Sequence, residues 1–435
     1  MESMKMAKFA LMSVVLVDVM GQGLAFPIFN TLVTDPSAGF VQKNIVASAA
    51  GLDYSLLIAV FFFTWFLGVV IISRLSDSVG RRWGILICLG GSLAGYALTI
   101  VAIFVDSFSL LLISRAITGF TAGTQPIAQA GMVDLSTDEN DKARNMGLVM
   151  LGTSIGLIAG PIIGGVFSDK SLIGDAASLW LPFLIGGILN LAAMVMVLVW
   201  FRDTKRYNAP LRINPVDVFR LLWEVRLHPK VLRTSGPFFF FELSFLGAYI
   251  FMANYFTDRF GLKTAGTSLG MLVLGVALCF ASIALVGPST ARFPRWAIIV
   301  AAEVGMIAAI AVFIGAPAPW VAYLALVPLA LCFGVGYPTF LTVFSASADE
   351  ERQGWVMGVE IALFTLAAGL VSILSGELLS LGERAPFYVA ILGGAAALIM
   401  IAISWGAPVM RNVVGRGGPD EDETAGLEAA AQHKT

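Results

Sequence analysis

An all-α polytopic membrane protein with twelve transmembrane helices in two six-helix halves is the fold class this sequence predicts, and three observations predict it. The first is composition: of 435 residues, 58% are hydrophobic and only 13% charged, with a mean hydropathy of +0.86. Such a chain holds many apolar runs of the ~20 residues that cross a bilayer. The second is the order of those runs, at about 7–33, 52–73, 83–105, 107–133, 145–168 and 178–201, then 231–257, 265–287, 295–315, 318–345, 353–380 and 385–408. The third is charge asymmetry. With the N-terminus inside, the inner loops and ends carry 21 Lys and Arg against 5 outside, which places both termini in the cytoplasm and the chain in the inner (plasma) membrane.

The elements follow in chain order. Lys5 and Lys8 precede the first apolar run as in a signal peptide, but the run is too long and lacks a small-residue cleavage site, so it reads as an uncleaved span. Residues 1–201 form the first six-span bundle and 231–408 the second. Between them, 202–230 is a basic linker. There Asn214 and Pro215 open a helix through Val218, Leu221, Leu222 and Trp223 that lies on the membrane surface or stands as a soluble linker helix. The tail 409–435 is Gly-rich, polar and acidic, and is expected to be disordered.

Composition also excludes function classes. A net charge of −2 argues against a nucleic-acid partner. Cys88, Cys279 and Cys332 fall in separate apolar runs and read as buried thiols without a disulfide or metal site. The only histidines are His228 and His433. No nucleophile–base set, metal cluster or phosphate-binding glycine loop is visible, so neither an enzyme nor an ATP-driven pump is expected, and no cofactor or metal beyond protons as the coupling ion.

Asp18 is the residue that points to function. At ~1.5 Å per residue from Ala7 it lies ~16 Å deep in a ~30 Å apolar layer. A bare carboxylate there costs at least ~2.5–3.5 kcal/mol, so it faces a polar cavity, is protonated or has a cationic partner. Arg115 lies roughly 12 Å deep from the other side, within about one turn of Asp18, and is the nearest counter-charge by depth. Gly21, Gly23 and Pro27 mark close packing and a possible bend. Glu242 lies as far into the seventh span as Asp18 lies into the first. It follows the aromatic run ending at Phe241, a pairing of charge and ring faces suited to a lipophilic cation, although the rings could equally pack against lipid. Glu360 lies about seven residues into the eleventh span, as a secondary proton site or in reach of inner water, while Glu303 on the ninth is expected to be structural.

The halves repeat. Pro126, Asp138-Glu139 and Met146-Gly147 are echoed by Pro338, Asp349-Glu350 and Met357-Gly358, and the acidic pair recurs after 211 residues. Arg82-Trp83 is echoed by Arg295-Trp296 without the acidic partner. Parallel six-span repeats fit a transporter whose site lies between the halves.

With these features the chain resembles the major facilitator superfamily, and within it the twelve-span drug:proton antiporters of the tetracycline-efflux type. Four stretches carry the resemblance: Asp18-Val-Met-Gly21-Gln-Gly23-Leu-Ala-Phe-Pro27; Ser73-Arg-Leu-Ser-Asp77-Ser-Val-Gly80-Arg81-Arg82; Arg115-Ala-Ile-Thr-Gly119; and Gly156-Leu-Ile-Ala-Gly160-Pro161-Ile-Ile-Gly164-Gly165. The second departs from the family pattern at Ser73 and Ser78. Its Asp77, Gly80, Arg81 and Arg82 place opposite charges at a tight inner turn, either as a conformational gate or as plain positive-inside anchoring. The fourth resembles the antiporter signature; by its residues alone it brings two helices close together.

The resemblance implies that spans one, four, seven and ten line the cavity, making Gln22, Gln125, Gln129, Asn254 and Tyr337 candidate substrate contacts beside Phe241 and Glu242. Depth and charge make Asp18 with Arg115, and Glu242 and Glu360, the candidate proton-coupling residues. The function expected is proton-coupled export of a small amphipathic or drug-like compound by alternating access, by a monomer in the lipid bilayer. A proton-driven importer of a nutrient or metabolite, and a lipid-translocating or transport-inactive sensor, remain alternatives.

Overall fold

Uninterrupted apolar runs leave the backbone no partner but itself, and in a bilayer this enforces helices. A computed structural model describes residues 2–34, 50–137, 139–203, 216–348 and 352–415. Among these, eleven helices are long and apolar enough to cross a membrane. The first half comprises α1 (Glu2–Thr34), α2 (Ala50–Val79), α3 (Arg81–Phe104), the pair α4 (Phe108–Phe120) and α5 (Thr124–Asp134), α6 (Glu139–Ser168) and α7 (Leu181–Trp200). After the linker helix α8 (Val216–Glu224), the second half comprises α9 (Pro229–Phe260), α10 (Thr264–Phe280) with its extension α11 (Val286–Arg292), α12 (Arg295–Gly315), α13 (Pro319–Ala346), α14 (Gln353–Leu381) and α15 (Ala385–Ser404). We call the face where α1 begins the basic face.

The twelve-span expectation holds with one correction. The fourth span is not continuous: it stops at Phe120 and restarts at Thr124. Pro126 has no N–H to return to the carbonyl four residues earlier, and Gly123 adds backbone freedom, so the ladder opens at 121–123. Pro338, its counterpart in the second half, sits inside the unbroken α13. The repeat therefore diverges just where it meets Asp18.

The packing is otherwise repeated. In the first half α1 packs on α6 and α7, α2 on α4, and α3 on α4 and α7; in the second, α9 packs on α14 and α15, α10 on α13, and α12 on α13 and α15. The halves meet along two seams, α2 with α14 and α6 with α10. The arginine echo is equally literal. An Arg82 terminal nitrogen donates to the Leu198 carbonyl at the end of α7. Arg295 Nη1 donates to the Val413 carbonyl just beyond α15, 2.9 Å away.

Glycine spacing decides how α1 is held. A methyl group on Gly152, Gly156 or Gly160 of α6 would stand 2.6 Å from the carbonyl oxygens of Met12, Leu16 and Met20 respectively. One turn of α6 thus seats one turn of α1, the close approach expected of small residues in membrane helices. Gly165 faces the other way, where its methyl would stand 2.7 Å from Ser268 Cβ of α10.

The linker helix packs its apolar residues on the two halves. Leu221 and Leu222 pack with Phe66 of α2 and Ala362 of α14, so its apolar side closes the seam between the halves. Trp223 stays exposed, with the Arg226 guanidinium 3.6 Å above its ring centroid. Asn214, Pro215 and the tail from residue 416 lie outside the described residues. Cys88 and Cys279 are buried as expected, whereas Cys332 is part-exposed.

Candidate functional site

The site is built where α1 crosses the break in the fourth span. Asp18 and Gln22, one turn apart on α1, are partly exposed, while Val17, Val19 and Met20 around them are buried. Because α1 is ringed by α2, α5, α6, α7, α9 and α10, this exposure opens onto space inside the bundle. Gln125 and Gln129, one turn apart on α5, are partly exposed as well. The groups acting on the Asp18 carboxylate are the Gln125 backbone N–H and the Thr124 hydroxyl. Thr124 is buried, 1% exposed, and its hydroxyl reaches the acid at looser than ordinary hydrogen-bond geometry. An acid at the start of α5 gains from free N–H groups and the positive end of the helix dipole.

This arrangement corrects the pairing of Asp18 with Arg115. Among the described residues no ion pair joins them. The Arg115 guanidinium lies 4.1 Å from the Phe61 ring centroid and 5.0 Å from that of Phe29, and its Nε donates to the Leu57 carbonyl at 3.4 Å. Phe29 is eleven residues beyond Asp18 on α1, or ~16 Å along the helix. Depth counted along the chain misplaces Arg115 because α1 is 33 residues long, more than a bilayer requires, so counting from one end does not fix level against a helix entering from the other. Tyr96 lies within electrostatic range of both residues, and its hydroxyl fills the space beside Gly21.

The sequence therefore missed Gly123, Thr124 and Tyr96. Gly123-Thr124-Gln125-Pro126 is a legible helix start, but it lies inside an apolar run that reads as one span.

The second-half candidates divide. Tyr337 is partly exposed and its hydroxyl donates to Glu360 Oε1 at 2.9 Å. Phe241, Glu242 and Asn254 are buried, at 0, 0 and 2% exposure, and so do not line open space as expected of them. Phe241 stacks on Phe333, with centroids 5.6 Å apart, and Glu242 lies within electrostatic range of Glu360 and Glu303. Glu360 is 3% exposed and does not reach inner water.

At the basic face the arginines of the inner-loop motif find partners that the sequence did not suggest. Arg81 Nη1 donates to Ser76 Oγ at 2.8 Å, and its Nε lies 3.8 Å from Asp134 at the end of α5. The Arg82 backbone N–H donates to Asp203 Oδ1 at 3.1 Å. Burial pushes the Asp203 carboxyl up, against the pull of the Arg82 and Arg81 backbone N–H groups. Lys8 Nζ donates to Asp141 Oδ1 at 2.7 Å, which with the Thr137 N–H holds that carboxyl below its ordinary range. The backbone of Asp77 lies in α2; its side chain lies outside the described residues. Gly80 has φ 105° and ψ 151°, a region essentially reserved for glycine, so Gly80→Val is expected to cost about 2 kcal/mol. Thermal unfolding in detergent would read this as a lowered midpoint, and an unchanged midpoint would refute the strain.

A family model described as Major Facilitator Superfamily matches residues 11–360. Relatives include a tetracycline resistance protein, class C, of Escherichia coli, 28% identical over 83% of this chain and 87% of that protein. The quinolone resistance protein NorA of Staphylococcus aureus is 23% identical over 88% of this chain and 92% of its own length. Among solved structures, the human organic anion transporter MFSD10 (TETRAN) superposes with a TM-score of 0.70 at 18% identity, over 92% of this chain and 99% of that one. A D-xylose-proton symporter does so with a TM-score of 0.69 at 16% identity, over 90% and 96%.

Proposed function

This chain belongs to the Major Facilitator Superfamily, and we propose that it exports a small amphipathic or drug-like compound in exchange for protons by alternating access. The observation that carries the reading is Asp18: an acid partway along a spanning helix, partly exposed to interior space and set against the start of a half-helix rather than against a cation. The Gln125 N–H steadies it when ionised, and nothing fixes it in that form as an arginine would. Proton and compound then compete for one site: compound binds when Asp18 is ionised, and proton binding releases it. Gln22 on α1 and Gln125 and Gln129 on α5, partly exposed like Asp18, offer polar contacts to the compound. The resistance proteins among the relatives support export of a drug-like compound.

Three hydrogen bonds tie the halves together away from the basic face: Asn30 Nδ2 to Thr257 Oγ1 at 3.0 Å, Thr31 with Thr264 at 2.8 Å, and Tyr54 Oη to the Ile250 carbonyl at 2.9 Å. We read this as the state closed on that side and accessible from the basic face, which the charge asymmetry assigns to the cytoplasm of an inner-membrane protein. The motif around Arg81 and Arg82 then holds α2, α3, α5 and the end of α7 together as one rocking body.

The test is lumenal pH in proteoliposomes that are acidic inside, as lipophilic cations, tetracyclines and sugars are added outside. Protons leaving as a compound enters support antiport and give the substrate class. Protons moving with the compound would replace this reading with the importer, and no coupled movement with any compound would favour the sensor or lipid-translocating protein.

A further inference from the structure

The seam between α2 and α14 is built differently at its two ends. Away from the basic face, rings hold it together: Phe62 and Trp65 of α2 lie 6.3 and 5.7 Å from Phe364 of α14, centroid to centroid. Nearer the basic face, Phe66 of α2 and Ala362 of α14 form a small buried cluster. Leu67 and Val70 of α2 pack against it, and so do Leu221 and Leu222 of the linker helix α8. One turn closer still to the basic face, α14 presents Gly358. A methyl group there would stand 3.2 Å from Leu221 Cδ1, and among the described residues of other helices nothing else comes within 4 Å. The linker leucine, and not α2, therefore covers this part of α14.

Pseudo-symmetry gives this contact meaning. Gly358 is the counterpart of Gly147 in α6, through the Met146-Gly147 and Met357-Gly358 echo, and the seam of α6 with α10 is the counterpart of that of α14 with α2. A methyl group on Gly147 would meet nothing within 4 Å among the described residues. The basic end of one seam is thus open, while that of the other is filled by a segment belonging to neither bundle. The linker is also moored. At its end Arg352 Nη1 donates to His228 Nε2, and the His228 ring stands edge-on to that of Trp355 with centroids 4.9 Å apart. Both partners lie at the start of α14.

We infer that α8 is a wedge: seated between α2 and α14 it holds the basic face open, and it must withdraw from Gly358 before that face can close. This rests on the reading above of an alternating-access transporter in the state accessible from the basic face. As the halves rock against each other, closure carries Leu67 and Val70 of α2 toward Gly358 of α14, into space that Leu221 fills. Packed interiors do not admit two side chains in one place, so closure of the face and seating of the linker exclude each other. A group that binds only one of two states shifts the population toward that state by its differential affinity. Mooring at His228 keeps the local concentration of this group high. Burial of Leu221 and Leu222 against both halves then biases the protein toward the open basic face by about tenfold.

The experiment is a reversible lock on the full chain. Leu221→Cys with Gly358→Cys, in a background of Cys88→Ala, Cys279→Ala and Cys332→Ala, is joined by a short bis-methanethiosulfonate linker and released with dithiothreitol. Joined protein should lose at least tenfold of its uphill export in proteoliposomes and recover it on reduction. Unaltered export with the link complete would overturn the inference, because a linker that merely connects the halves is already moored to α14 and loses nothing by being joined to it again. The second measurement is the distance across the basic face between spin labels on Arg144→Cys and Thr290→Cys, in the same cysteine-free background. Leu221→Ser with Leu222→Ser should raise the share of the shorter distance about tenfold, and an unchanged distribution would equally overturn the wedge. The labels need no transported compound, so protein that exports nothing would sink the transport reading while the distances still decide whether the wedge exists.

Discussion

Asp18→Asn is expected to lower the gradient of compound that the protein sustains by up to about 100-fold, the size of a strong coupling free energy between two ligands. Counterflow of compound between equal pH on both sides should fall as well, because the amide keeps the shape of the site but mimics the protonated acid, the form that does not hold compound. Thr124→Val should give a smaller loss of uphill export, about tenfold, since one hydroxyl near a charge is worth about 1.5 kcal/mol. Thr124→Ser should restore it, as a merely steric role for the threonine methyl would not. The measurement is accumulation in inverted vesicles beside counterflow in proteoliposomes. Wild-type accumulation by Asp18→Asn at normal expression would remove this residue from the coupling step.

Gly156→Val is expected to destabilise the protein by about 3 kcal/mol, the upper end for overpacking, because the new side chain meets a backbone carbonyl that cannot rotate away. The added Cβ would stand 2.6 Å from the Leu16 oxygen and 3.1 Å from the Met20 nitrogen, on either side of Asp18 in sequence. The variant should therefore lose both thermal stability in detergent and export, as α1 is pushed off α6. Gly147→Val is the control. It lies on the same helix with nothing within 4 Å of the added carbon, and its midpoint should stay at the wild-type value. Equal midpoints for the two variants would show that the glycine row does not seat α1.

These two residues also show what could be read before folding. The glycines of 156–165 announce close approach by their composition, but not that their partner is α1 and, on the other face, α10. Asp18 announces itself because a charge in an apolar run is costly wherever the helix lies. The Arg82 and Arg295 echo was legible as a repeat, and its two ends carry matching backbone bonds. Facing was the weak point. Gln22, Gln125 and Gln129 are partly exposed, whereas Phe241, Glu242 and Asn254 are buried, and Arg115 settles among rings rather than on an acid.

What the sequence by itself determined is what depends on solvent and length: helices, their number, the two halves, the sidedness of charge, and the presence of an acid within a span. Hydrophobic runs and costly charges are local properties, and a bilayer leaves them one architecture. What only the tertiary structure decided is which groups meet. The break at 121–123 sits in a run apolar enough to read as one span. It becomes a site only because α1 crosses there and places Asp18 against the Gln125 N–H. Leu221 and Gly358 are separated by more than a hundred residues, and only the packing of α8 on α14 makes them neighbours. Depth along a helix is additive in residues and so can be estimated from sequence; azimuth and tilt are set by the packing of every other helix at once.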